Sequence, residues 1–164
     1  MTIDTLPQGD LGLMQSVVAQ ELLQMDIPAR LAYTASDGTP RVLPINHWWT
    51  GTELVMATFT GAAKVRALRR NPAVAITIDT ADAPPHVLLL RGDAVVTDVD
   101  GIVPEYELTM RRGMPAGAAD EYFAGLRADG ATMHRIAVRP TWVGVLDFET
   151  RFPGAAPSAI SGSD

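Results

Sequence analysis

Apolar residues recur along the chain with two periods, and the switch between them divides it into elements. Met14, Val17, Val18, Leu22 and Met25 follow the i, i+3, i+4 spacing of an amphipathic helix, with Asp10 as a candidate N-cap. Over 29–35 the period changes to two: Leu31, Tyr33 and Ala35 alternate with Arg30, Ala32 and Thr34. That strand runs into Ser36-Asp37-Gly38, and Asp-Gly between two such runs is a hairpin signal. The return strand is predicted over 40–49, a turn at Thr50-Gly51, and a third strand over 53–58, which makes a β-meander.

A small-residue connection then leads into a short helix over 64–70, which Asn71-Pro72 must stop because proline cannot continue it. Strands follow over 73–79 and 86–98, the second with Gly92 as a candidate bulge. Helices are predicted over 104–112 and 118–128, separated by Gly113-Met114-Pro115, and two closing strands over 132–138 and 142–148. Six or seven mostly antiparallel strands in one chain of this size favour a barrel, which removes sheet edges, so the fold class is mainly β with peripheral helices. Residues 1–152 form a single expected domain; the tail over 153–164 lacks the bulk to bury anything and is expected to be disordered.

At 47% apolar residues the chain supports one ordinary core, and a net charge of −6 argues against nucleic acid, whose capture needs a basic surface. No run approaches the roughly 20 apolar residues of a membrane span, and the N-terminus has no basic start before an apolar run; a cytoplasmic protein is expected. The absence of cysteine removes disulfides, thiolate metal sites and thiol nucleophiles, so redox work would need a borrowed cofactor. The GxGxxG, GxxxxGK[ST] and GxSxG patterns are missing, and His47, His86 and His134 show no metal-ligand spacing; no metal is expected.

Against that acidic background, Thr58 to Pro72 reads TFTGAAKVRALRRNP, a strand end, a small-residue loop and a cationic helix. Free N–H groups at a helix start carry partial positive charge, and Lys64, the chain's only lysine, adds a full one beside them. Thr58 and Thr60 offer hydroxyls at the strand's end, while Val65 and Leu68 give the helix a buried edge. Arg66, Arg69 and Arg70 share another edge, either as an anion site or as a solvated face. Arg41 to Trp49, RVLPINHWW, is almost continuously apolar and is expected to be covered on both faces; Trp48 and Trp49 are either walls for a planar ring or core and interface residues.

These marks together resemble the pyridoxamine-5′-phosphate-oxidase-like, FMN-binding split-barrel superfamily, and especially its flavin/deazaflavin oxidoreductase branch. The resemblance spans roughly residues 13–148. It rests on the opening helix, the Asp37-Gly38 hairpin, Arg41 and Pro44, the Thr-rich strand end and, most specifically, Lys-x-x-x-Leu-Arg-x-Asn-Pro from Lys64 to Pro72. It implies a homodimer with the cofactor in a groove at the interface, the lysine matching Lys64 on the phosphate, and further contacts from Arg41, Val42, Leu43 and Pro44 and from Thr58 and Thr60. Many members carry a serine two residues before the lysine; this chain has Ala62, which removes one phosphate donor. No Arg-x-His signature of the pyridoxamine oxidases proper is present, so vitamin B6 synthesis is not expected. By the same resemblance the helical excursion over 104–128 covers the groove, with Tyr106, Met110 and Tyr122 as pocket or packing residues.

The function implied is transfer of a hydride between bound FMN or the deazaflavin coenzyme F-420 and a small apolar or aromatic substrate. Arg69 and Arg70, with Arg66, would suit the longer anionic tail of the deazaflavin. Two other classes stay open: a non-catalytic flavin carrier or sensor, and a haem-handling split barrel with His47 or His134 as axial ligand.

Overall fold

The computed structural model describes residues 3–154. Eight antiparallel strands and four α-helices follow one another as α1 (Val17–Gln24), β1 (Ala29–Thr34), β2 (Pro40–Ile45), β3 (His47–Trp49), β4 (Leu54–Phe59), α2 (Ala63–Arg70), β5 (Ala73–Asp79), β6 (Val87–Val99), α3 (Pro104–Gly113), α4 (Ala116–Ala128), β7 (Met133–Val138) and β8 (Trp142–Leu146). The pairing order is β2-β1-β5-β6-β7-β4-β3, with β8 on β6. Consecutive strands β2 and β3 therefore stand at opposite margins of the sheet. Only Asn46 separates them, so the sheet curls until its margins meet, giving a split barrel.

β6 is the spine of this arrangement. Its first half pairs with β5 and β8, and its second half, from Ala94, pairs with β7. Gly92 sits at the changeover, where an added Cβ would lie 2.6 Å from the Arg139 carbonyl oxygen. The bulge expected there is a close backbone approach instead. Inside, Leu31, Leu54, Met56, Leu68, Ile76, Leu90 and Ile136 are buried in one core, and β5 shows the alternation expected of it, with Val74, Ile76 and Ile78 inward. On the other side of β4 and β7 a smaller core joins Val55, Met133 and Ala137 to Val103, beneath α3.

Three sequence expectations change. The strand predicted over 40–49 is two strands on opposite margins, which raises the strand number to eight. The run expected to be covered on both faces is largely exposed in β2, where Val42 is 68% exposed, because a marginal strand has one neighbour only. The opening helix starts later than its periodicity suggests: Asp10 caps a 3-10 turn over Leu11–Gln15, and Ser16, accepting from the Ala19 N–H, caps α1. Val17 and Met25 thereby fall on the exposed side, Met14 and Leu22 are buried as expected, and Ala19 and Leu23 join them. From residue 155 onward the tail lies outside the described residues.

Candidate functional site

The β1–β2 turn is fixed by its own chemistry. Gly38 takes φ +82°, and the Asp37 carboxylate accepts from the Thr39 hydroxyl (2.6 Å) and N–H (3.0 Å), which with Arg41 lowers its pKa to about 2. Arg41 pairs with Asp37 at 3.0 Å and also bonds Thr39 and the Pro40 carbonyl. Facing this turn lies α2, whose Val65, Ala67 and Leu68 are buried against the sheet. Ala62 at its N-cap offers no side-chain bond, so the leading N–H groups of α2 are uncapped.

Clefts flank this helix. One, of ≈ 440 Å³, is lined by Gly61, Ala62, Ala63, Arg66, Arg69 and His134, with Val65 at its floor; another, of ≈ 280 Å³, by Tyr33, Asp37, Arg41, Ala63, Arg66 and Ala67 among others. Arg66 is the cation common to both. Among the described residues its side chain makes no ion pair or hydrogen bond, and neither does that of Arg70, which lines a third cleft with Ser36 and Asn71. Arg69, by contrast, is held by Asp98 at 2.5 Å. Asp98 also sits 2.6 Å from Nδ1 of His134, and these two bonds, Arg69's first, hold its carboxyl below the ordinary range.

Lys64 is half-buried and has no hydrogen-bond or ion-pair partner among the described residues; burial lowers its pKa. It lines neither cleft beside Arg66. Thr58 pairs with His134 across β4 and β7, and the Thr60 hydroxyl bonds that of Thr132 at 2.7 Å, so both threonines stand at the α2 end of β4. Val42, Leu43 and Pro44 run along the margin β2, paired with Ala32, Leu31 and Arg30.

The expected substrate-pocket residues are not gathered here. Trp48 and Trp49 pair with Val55 and Leu54, at the opposite end of β4. Trp48 lines a cleft with Gln20, Leu23 and Gln24 and lies under the Arg112 guanidinium (5.5 Å), while Trp49 packs on the core. Tyr106 meets Phe59 and Phe123 edge-on and shares a 2.6 Å hydroxyl contact with Tyr122; burial, then that contact, raises its pKa. Met110 receives a bond from Asn46. The excursion thus packs beside β3 and β4 and lines neither cleft beside α2. His47 is buried in β3 with neither ring nitrogen hydrogen-bonded among the described residues, and His134 is tied to Asp98 through Nδ1. Among the described residues no group of three or more His, Asp or Glu side chains is placed to hold a metal ion, and no helix is long and apolar enough to cross a membrane. His134, which sequence reasoning offered only as an axial haem ligand, is set by the fold in the wall of the cleft that Arg66 and Arg69 line.

Residues 18–88 match the family model described as pyridoxamine 5′-phosphate oxidase. Among solved structures, a protein named F420 reductase is 28% identical, with a TM-score of 0.57 over 76% of this chain and 94% of that one. A protein from Clostridium acetobutylicum related to general stress protein 26, of the pyridoxinephosphate oxidase family, is 14% identical (TM-score 0.56, covering 79% and 85%). A conserved protein from Mycobacterium tuberculosis, Rv2991, is 15% identical (TM-score 0.58, covering 85% and 90%). At those two identities the likeness is one of fold. No curated protein matches the sequence.

Proposed function

Because residues 18–88 match the pyridoxamine 5′-phosphate oxidase family model, we propose that the chain is a split-barrel member of that superfamily and an oxidoreductase that binds a phosphate-bearing flavin-type cofactor, FMN or the deazaflavin coenzyme F-420, against α2. The observation that carries this reading is the unsatisfied positive charge on one short helix of an acidic protein. Among the described residues Lys64 is half-buried without a partner, Arg66 is unpaired between two clefts, and no side chain caps the helix start. A buried ammonium without a counter-charge is costly, and an anionic ligand removes that cost. The donor set therefore fits a phosphate. The 28% identical protein named F420 reductase supports the deazaflavin as strongly as the family description supports FMN.

When bound, the cofactor supplies the hydride chemistry. The chain's own part is to bind and orient. Arg66 and the leading N–H groups of α2 would hold the phosphate end in the clefts, Lys64, which lines neither, would add its charge from the same turn of the helix, Thr58 and Thr60 would offer hydroxyls at the end of β4, and the exposed margin β2 would set Val42, Leu43 and Pro44 beside the ring. We assign the bare face of β2 to a second copy of the chain, so that the ring is walled by two subunits and water is excluded. A small apolar or aromatic substrate follows from those walls. The test is the visible spectrum of the purified protein, followed by titration with FMN and F-420. Micromolar binding of either supports the reading; a protein that binds neither ends it.

A further inference from the structure

His134 is an unusual wall for an anion cleft. It lies on β7 in a run, MHRIAV, that is otherwise almost wholly buried, and it is itself only 9% exposed. Its neighbour across β6 is Asp98 and across β4 the uncharged Thr58. Asp98 Oδ1 lies 2.6 Å from His134 Nδ1 and 2.5 Å from Arg69, and the cleft that His134 lines receives Arg66 and Arg69 from α2. An ionised carboxylate only accepts, so Nδ1 carries the proton and donates to Asp98. The ring's second nitrogen, Nε2, has no partner among the described residues.

That arrangement fixes what Nε2 presents. In the neutral ring it shows a lone pair, which repels an oxyanion; in the imidazolium it shows an N–H, which binds one. Around the ring stand the Asp98 carboxylate, its partner Arg69, and Arg66 in the same cleft. We infer that His134 is a proton-linked phosphate contact: when a phosphate enters the cleft beside α2, the ring takes up one proton from solvent at Nε2 and donates it in a hydrogen bond to a phosphate oxygen. This deepens the reading above and rests on it, since it presumes that the phosphate end of the ligand seats against α2. No bond is made or broken apart from that proton's transfer.

The deciding probe is inorganic phosphate, added to the full-length protein with its histidines labelled with nitrogen-15. Phosphate should move the His134 ring resonances toward the imidazolium pattern, and FMN should do the same while riboflavin, which lacks the phosphate, should not. Calorimetry in buffers of different ionisation enthalpy should show uptake of up to one proton with FMN, with affinity falling by up to about tenfold per pH unit once the free ring is neutral. His134→Gln should abolish the uptake. Asp98→Asn, at an exposed carboxylate that the fold does not bury, should reduce it, and Arg66→Ala should weaken binding at every pH without changing the proton count. A His134 ring that does not respond to phosphate, or that responds equally to riboflavin, overturns the inference. The cofactor reading fails separately, if FMN and F-420 leave the protein unbound while inorganic phosphate still protonates His134.

Discussion

Arg69 and Arg66 stand one turn apart on α2 and line the same cleft, yet only Arg69 has a carboxylate, Asp98, at 2.5 Å. A guanidinium already paired offers an incoming anion less than one still waiting for a partner. Arg66→Ala should therefore weaken binding of the phosphorylated cofactor by about 1.5 to 3 kcal/mol, the range for a charged hydrogen bond, and Arg69→Ala by clearly less. Fluorescence titration of the two variants decides the order, and equal losses would place the phosphate elsewhere along the helix.

Lys64→Ala removes an ammonium that has no partner among the described residues. The variant should lose cofactor affinity by a similar about 1.5 to 3 kcal/mol while its thermal midpoint without cofactor stays the same or rises slightly. Paired binding and melting measurements check this. A large drop in the midpoint would make Lys64 structural.

His47 gives the fold its acid sensitivity. Burial, then the nearby Arg112 charge, lowers its pKa from 6.5 to about 4, so the native state holds a neutral ring while the unfolded chain takes up a proton below pH 6.5. Because the folded pKa is depressed, this contribution is complete above pH 6.5 and is lost as pH falls toward 4, on the order of 3 kcal/mol in all. Urea denaturation across that window should show the slope, and His47→Leu should flatten it. The same variant should be no less stable at pH 7, since it removes two buried nitrogens that have no hydrogen bond.

Gly92→Ala should cost about 1 to 3 kcal/mol of stability, because the new methyl would stand 2.6 Å from a backbone oxygen of Arg139 that cannot rotate away. Gly61→Ala meets no atom but takes a left-handed φ of +93°, so its smaller cost of roughly 1 kcal/mol comes from backbone conformation alone. Thermal melts of the two variants separate crowding from conformation.

Where a signal was local, the residues announced the structure. Asn71-Pro72 stops α2 at Arg70, alternation gives β5 over Ala73–Asp79, and Asp37-Gly38 turns the first hairpin. The break at Asn46 has no such signal, because RVLPINHWW is apolar on both sides of it; only the assignment of β2 and β3 to opposite margins shows why the strand must divide. The opening helix misled for a related reason: its periodicity continues through Ser16, whose capping bond restarts the helix in a new phase. In the site, the cationic helix was legible as composition, but which arginine remains free was not. That depends on Asp98, 29 residues beyond Arg69 and brought alongside by β6. His134 could have been noticed as the one histidine within a strongly apolar closing strand, facing Thr58 once the register of β4 and β7 is known.

The 13-residue β6 also sets apart what is recognisable from what can stand alone. Residues 18–88 bear the family's signature, yet they include only Val87 and Leu88 of the strand on which both halves of the barrel are hung. A fragment ending there would keep the hairpin, α2 and its arginines but lack Asp98, His134 and β7, one of the two partners of β4. The family match lies in the first half of this protein, while its capacity to fold is shared with the second.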